Sequence, residues 1–245
     1  MDRNFTYPGR DSYSSKMKVS IILPVYNEEK TIQKVINKIK KTDFKIDKEI
    51  IVVNDGSRDK TIEILNNFKS KKGFVVINKI KNEGKGSAII SGIKIATGDI
   101  IAIHDADLEY ETRDLKLLIK PILEGKSTVV YGSRFLKENS KYKVNSFYVA
   151  NRVLSFFTSL LYLKKITDME TCYKVFDAKT LKALRLNSKR FEIEPEVTAK
   201  ILKRRIKILE LPISYTPRTH SAGKKIKTKD GWSALWTLVK YRFID

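Results

Sequence analysis

Four short apolar runs recur in the first half of the chain: Lys18-Val19-Ser20-Ile21-Ile22-Leu23-Pro24-Val25-Tyr26, Glu49-Ile50-Ile51-Val52-Val53-Asn54-Asp55, Phe74-Val75-Val76-Ile77 and Asp99-Ile100-Ile101-Ala102-Ile103. Between them the apolar residues fall at helical spacing: first Ile32, Val35, Ile36 and Ile39, then Ile62, Leu65 and Phe68, then Gly86 to Ala96, interrupted by Gly92. Short Val/Ile-rich strands alternating with helices predict an α/β fold, with a mostly parallel central sheet flanked by helices on both sides. A helix over 113–123 and a strand over 128–132 extend the pattern. Ligands of such sheets bind beyond the carboxyl ends of the strands. Three of those ends carry polar residues: Asn27-Glu28, Asn54-Asp55-Gly56-Ser57 and Asp105-Ala106-Asp107-Leu108-Glu109.

The last of these is the most pointed. Acids at every second position of an extended chain face one side, so Asp105, Asp107 and Glu109 are expected to converge. Like charges gather where something positive lies between them, and hard oxygen donors suit a divalent cation. The competing reading is of helix caps and solvated loop acids. The loop Asn82-Glu83-Gly84-Lys85-Gly86-Ser87 lacks the phosphate-loop spacing, since position 79 is Lys and Lys85 is followed by Gly86. It also lacks the dinucleotide fingerprint, because Ile89 stands where the third glycine belongs. Tyr110 occupies the position at which a calcium hand requires glycine. What is left is one cation and a glycine-rich backbone before a helix, which suits an anion or a plain turn.

A chain of 245 residues with 42% hydrophobic side chains can bury a sizeable core. One cysteine, Cys172, excludes an internal disulfide and a multi-cysteine zinc site. The net charge of +21 points to an anionic partner. Nucleic acid is disfavoured, because neither zinc-finger spacing nor an RNP-type aromatic motif is present. An anionic membrane surface or a phosphorylated substrate fits better. Residues 1–17 read as a flexible, polar arm. Phe147 to Leu163 is strongly apolar but broken by Asn151, Arg152, Ser155 and Ser159. A membrane span needs about 20 mainly apolar residues, so this is an amphipathic helix lying on the protein or on a membrane surface, and no transmembrane helix is expected. The tail from Asp230 to Phe243 is a second amphipathic helix, with Trp232, Trp236 and basic residues suited either to a membrane interface or to capping the core. Phe191-Glu192-Ile193-Glu194-Pro195-Glu196 reads as an extended segment entering a helix with Pro195 in its first turn, and Glu194 is the acid expected nearest the site.

Ile22 to Glu28, Val53 to Asp59, Gly84-Lys85-Gly86-Ser87-Ala88 and Asp105-Ala106-Asp107-Leu108 together resemble, in order and spacing, the successive motifs of the family 2 glycosyltransferases. Ser133-Arg134-Phe135, Thr167-Asp168-Met169-Glu170-Thr171-Cys172-Tyr173-Lys174 and the C-terminal half resemble the polyprenyl-phosphate sugar synthases within that family. The resemblance implies a GT-A fold over residues 18–228, with a nucleotide-binding part at 18–136, an acceptor-binding part at 137–228 and a C-terminal amphipathic helix over 229–245. It implies a nucleotide-sugar pocket of Pro24, Tyr26, Glu28, Val53, Asp55, Lys85 and Asp105, with Asp55 on the base or ribose. It implies Mg²⁺ or Mn²⁺ on Asp105 and Asp107, with Glu109 as a third ligand. Asp107, Arg134 and Asp168 would be nearest the chemistry, with Arg134 meeting phosphate and Asp168 close to sugar and acceptor.

The implied reaction moves a hexose, with inversion, from a GDP-mannose or UDP-glucose type donor to a dolichyl or undecaprenyl phosphate at the cytoplasmic face of a membrane. A phosphomonoester is already ionised near neutral pH, with a second pKa of about 6. It needs cations rather than a strong base, and Arg134, Arg218, Lys224 and Lys225 are the candidates. A sugar-hydroxyl acceptor would instead need a base, and Asp168 would be the first suspect. The rival readings are a family 2 enzyme with a soluble or glycan acceptor and a non-catalytic basic protein that binds nucleic acid or lipid.

Overall fold

A computed structural model describes residues 17–136, 146–218 and 228–244; the N-terminal arm before Met17, and Lys224 and Lys225, lie outside the described residues. The elements in chain order are β1 (Lys18–Val25), α1 (Ile32–Lys41), β2 (Asp47–Asn54), α2 (Thr61–Asn66), β3 (Phe74–Asn78), α3 (Lys85–Ile95), β4 (Ile100–Ile103), α4 (Thr112–Leu123), β5 (Val129–Ser133), α5 (Ser146–Tyr162), β6 (Lys174–Asp177), α6 (Ala178–Ala183), α7 (Ile193–Lys203), β7 (Leu209–Pro212) and α8 (Thr228–Phe243). The strands form one seven-stranded sheet in the order β3-β2-β1-β4-β6-β5-β7. All neighbours pair in parallel except β6, which runs antiparallel to both β4 and β5.

Strand alternation divides the core into two faces. Val19, Ile21 and Leu23 of β1, Ile50 and Val52 of β2, and Ile100 and Ala102 of β4 pack on one side with α1 and α4. Ile22, Ile51, Val53, Ile101 and Ile103 pack on the other with α3, α6 and α7. The predicted face of α1 is the buried one: Ile32, Val35, Ile36 and Ile39 are all enclosed, each burial contributing roughly 1.5–3 kcal/mol before entropy is counted. Gly92 does not interrupt α3. It lets the helix sit directly on β1, because a Cβ there would lie 2.6 Å from Ile22 Cγ2. A third cluster joins Leu154 and Tyr162 of α5, Ala199 and Leu202 of α7, and Ala234, Leu238 and Tyr241 of α8.

The reversed strand decides where the site forms. Because β6 enters the sheet where its neighbours leave it, the segment before β6 meets the loops after β1, β2, β4, β5 and β7 at one edge.

Two local expectations differ from the structure. Residues 104–109 do not continue the extended chain: β4 stops at Ile103 and the segment bends, with Leu108 at φ 63°. The 191–196 segment is not extended either; α7 begins at Ile193, with Pro195 in its first turn as expected.

Candidate active site

The strand ends enclose a cleft of about 450 Å³. Pro24, Tyr26 and Glu28 (after β1), Asp55 (after β2), Lys85 (opening α3) and Asp105, Asp107 and Glu109 (after β4) line it. Arg134 (after β5), Glu170 and Cys172 (before β6), Glu194 (in α7) and Arg218 (after β7) complete the lining. Helices α5 and α8 close one wall through Ala150, Leu154, Gly231 and Ala234. Of the proposed nucleotide-sugar residues, Val53 alone is misplaced. It faces the same side of the sheet as Ile51, is fully buried among the apolar residues there, and does not reach the cleft.

The acids do not meet as a simple triad. Asp105 turns to Lys85, whose Nζ lies 3.0 Å from Asp105 Oδ1 and 3.2 Å from Glu194 Oε1. Burial opposes charge on Lys85, but the charges of Asp105 and Glu194 outweigh it and hold its pKa well above the ordinary lysine value. Asp107 and Glu109 join Glu28 around Arg218 instead. Arg218 Nη2 donates to Asp107 Oδ2 at 2.8 Å, Nη1 to Glu28 Oε1 at 3.2 Å, and the backbone N–H to Glu109 Oε1 at 2.7 Å. The Tyr215 hydroxyl donates to Glu109 Oε2 at 2.9 Å. Burial, with the charges of Asp105 and Glu109, pushes the Asp107 carboxyl up to about 7 despite Arg218. Among the described residues no three acidic, imidazole or thiol side chains are arranged to hold a metal ion. The cluster still fits one in donor type and charge: its hard carboxylates already surround a cation, which here is the guanidinium of Arg218.

Asp55 is enclosed, and its carboxylate accepts from the backbone N–H of Gly84 at 2.7 Å and of Glu83 at 3.1 Å. It therefore fastens the 82–84 loop at the cleft. That loop does not offer an anion seat on α3. The N–H groups of Gly86 and Ser87 donate to the carbonyls of Arg190 and Lys189. The glycines exist for this contact: a Cβ on Gly84 would lie 2.5 Å from the Lys189 carbonyl oxygen and one on Gly86 2.2 Å from that of Ser188, and Gly84 has φ 108°.

Arg134 and Asp168 form a buried, forked pair. Arg134 Nε and Nη2 each donate to an Asp168 oxygen at 2.7 Å, and the Arg134 backbone N–H adds a third bond at 2.9 Å. Such forked, charge-assisted pairs are rigid as well as strong. Asp168 is fully enclosed and does not line the cleft, whereas Arg134 does. The aspartate expected beside sugar and acceptor thus stands behind the arginine and orients it.

Glu194 reaches the cleft as expected; its second oxygen is bonded to the buried Lys174. Glu196 instead pairs with Lys200 at 2.8 Å, and Glu192 accepts from Ser233 of α8. The sequence assigns no role to three contributors, although Lys174 closes the Thr167–Lys174 motif. Glu210 of β7 accepts from the backbone N–H groups of Thr167 and Asp168 and so holds that turn. Lys174 donates to the carbonyls of Met169 and Thr171. Tyr110 stacks on Tyr173 at 4.6 Å and donates no signal through spacing, because its partners lie far along the chain.

The wall helices carry two faces. α5 turns Leu154 and Tyr162 inward but exposes Val149, Val153, Phe156 and Leu160, a stripe at helical spacing, with Leu163 exposed just past its end. α8 turns Ala234, Leu238 and Tyr241 inward and exposes Trp232 (76% exposed), Trp236 (68%) and Phe243. No described helix is long and apolar enough to cross a membrane.

A sheet of this topology, with its cleft at one edge, has the GT-A architecture. Glucosyl-3-phosphoglycerate synthase from Mycobacterium tuberculosis, solved with Mn²⁺, UDP and phosphoglyceric acid, superposes with a TM-score of 0.71 over 94% of this chain and 80% of that one, at 19% identity. The chain belongs to glycosyl transferase family 2, whose model matches residues 20–185, and it is a glycosyltransferase. Its relatives include a Methanococcus voltae UDP-N-acetylglucosamine–dolichyl-phosphate N-acetylglucosaminyltransferase, 30% identical over 90% of this chain and 94% of that protein. A Pyrococcus furiosus dolichol-phosphate mannosyltransferase is 31% identical over 85% of this chain, which spans 59% of that protein's length.

Proposed function

We propose that this glycosyltransferase moves a hexose from a nucleotide sugar to a polyprenyl phosphate at a membrane surface. The observation that carries the reading is the Arg134–Asp168 fork. The aspartate that would serve as base for a hydroxyl acceptor is committed to arginine, and what the acceptor side of the cleft presents is cations. An ionised phosphate needs cations and no base. Relatives named for dolichyl-phosphate acceptors support the same choice.

In the proposed step an acceptor phosphate oxygen bonds to the anomeric carbon as that carbon's bond to the diphosphate breaks. The electron pair leaves with the nucleoside diphosphate, and no proton has to be removed. In-line displacement inverts the configuration. Pro24, Tyr26, Glu28 and Asp55 form the nucleotide side, with Lys85 near the diphosphate, while Arg134 and Arg218 position the acceptor phosphate. A divalent ion, Mg²⁺ or Mn²⁺, would be held by Asp105, Asp107 and Glu109, and it would offset the charge growing on the leaving diphosphate. Arg218 has to leave the acid cluster for that, which frees it for the acceptor. Both Mn²⁺ and UDP are bound in the mycobacterial synthase, which supports this part of the reading.

The exposed stripes of α5 and α8 flank the cleft, so a lipid phosphate could enter from a bilayer on which those helices lie. The net charge of +21 would add attraction to anionic headgroups. Incubation with Mg²⁺ or Mn²⁺, a panel of nucleotide sugars and a short polyprenyl phosphate should yield a glycosylated lipid. Donor hydrolysis or transfer to free sugars, with no lipid product, would overturn the reading. Flotation with anionic vesicles should carry the protein upward in low salt and release it in high salt.

A further inference from the structure

The deep end of the cleft, between the start of α3, α7 and the segment before β6, is lined by Lys85, Glu170, Cys172 and Glu194. Most of its polar atoms are engaged: Lys85 with Asp105 and Glu194, and Lys174 behind them with the other Glu194 oxygen. Two carboxylate oxygens here are enclosed and have no hydrogen-bond partner among the described residues, Glu194 Oε1 and Glu170 Oε1; the first lies 3.2 Å from the Lys85 ammonium, whereas the second has no ion pair either. Leaving such an atom unpaired costs on the order of 1–3 kcal/mol, so the site is built for something that completes it.

Charge and position limit what that can be. A diphosphate is repelled by Glu170 and Glu194 together, and its natural neighbour is the cation Lys85, on the side of Asp105. A polyprenyl chain would leave the oxygen unpaired. A sugar ring brings several hydroxyls, and in the transfer it must lie between the diphosphate and an acceptor held by Arg134. Burial and then the charge of Glu194 raise the Glu170 carboxyl to about 7, against Lys174 and Arg134. Near neutral pH it can therefore both accept from and donate to a hydroxyl.

We propose that Glu170 is a sugar-reading residue of this transferase: it hydrogen-bonds the hydroxyls of a neutral hexose or N-acetylhexosamine, and with Glu194 it excludes donors whose sugar carries a carboxylate. The inference rests on the nucleotide-sugar donor and not on the acceptor.

The test is equilibrium binding by calorimetry with Mn²⁺ and no acceptor. The probes are UDP, UDP-glucose and UDP-glucuronate, with GDP, GDP-mannose and GDP-mannuronate as the second series. The wild-type protein should bind a neutral sugar nucleotide at least about tenfold more tightly than its uronate counterpart. Glu170→Gln should keep the neutral ligand within about threefold and cut that discrimination about tenfold. Glu170→Ala should lose about tenfold on the neutral sugar nucleotide while holding the bare nucleoside diphosphate at wild-type affinity, which shows that the fold is intact. An unchanged neutral-to-uronate ratio in Glu170→Gln, or an undiminished contribution of the sugar in Glu170→Ala, overturns the proposal. A wild-type protein that binds none of the six overturns the donor reading and this proposal with it. Failure to glycosylate a lipid leaves these binding constants where they are.

Discussion

The floor and the wall of the cleft are built on opposite terms. On the floor, strand ends bring together buried charges that are nearly all paired: Arg134 with Asp168, Lys85 with Asp105, Arg218 with three carboxylates. In the wall, α5 and α8 bury one apolar stripe and leave another in solvent. Removing one partner of a buried pair strands the other charge, whereas trimming an exposed aromatic removes little that holds the fold. The floor should therefore be unforgiving toward stability and the wall forgiving, even though both line the same cleft.

The sharpest break is Asp168→Asn. It leaves the guanidinium of Arg134 buried with a neutral partner and should cost about 3–5 kcal/mol in urea denaturation, with transfer activity lost. A cost below 1 kcal/mol would mean that the pair is not structural. Glu49→Gln tests the far end of the same sheet. Glu49 accepts from Lys18, Ser20 and Thr97. Burial alone would raise its pKa, but those bonds outweigh burial and hold it down at about 2. Its folded pKa is thus below its unfolded value near 4.5, so the stabilisation is complete above pH 4.5 and is lost as pH falls toward 2. The variant should be about 2 kcal/mol less stable at pH 7, with the gap from wild type closing at acid pH; a pH-independent gap would contradict the assignment.

Arg218→Gln should raise the affinity for Mn²⁺ alone about tenfold, because the metal no longer competes with a tethered cation. Electron paramagnetic resonance of free Mn²⁺ measures this, and weaker binding would show that Arg218 organises the acids instead of occupying them. The smallest effect on stability belongs to the wall. Trp232→Ala with Trp236→Ala should shift unfolding by no more than about 0.5 kcal/mol yet lower vesicle binding clearly. A large loss of stability would mean that α8 is chiefly a cap.

The sequence foretold the floor better than the wall. Strands β1 to β4, the helices between them and the acids at their ends follow from hydrophobic period and chain order, which are local signals. What escaped was set by contacts between residues far apart. Arg218 lies 111 residues from its partner Asp107, and Gly86 is covered by the chain around residue 188. Nor does periodicity show that Asp105 turns to Lys85 and Asp107 to Arg218: the chain is no longer in a strand after Ile103, and each acid meets a cation from a distant segment. The wall helices were visible as amphipathic, but each had two candidate seats for its apolar residues, and the structure uses an inner stripe for one of them.

The reversed strand β6 has one more consequence. Because β5 leaves the sheet and β6 returns to it at the same edge, the connection between them starts and ends side by side. Such a detour can be lengthened, shortened or recoated without changing the register of any strand. Helix α5 and the turn that carries Asp168 are thus hung on the scaffold like an interchangeable fitting.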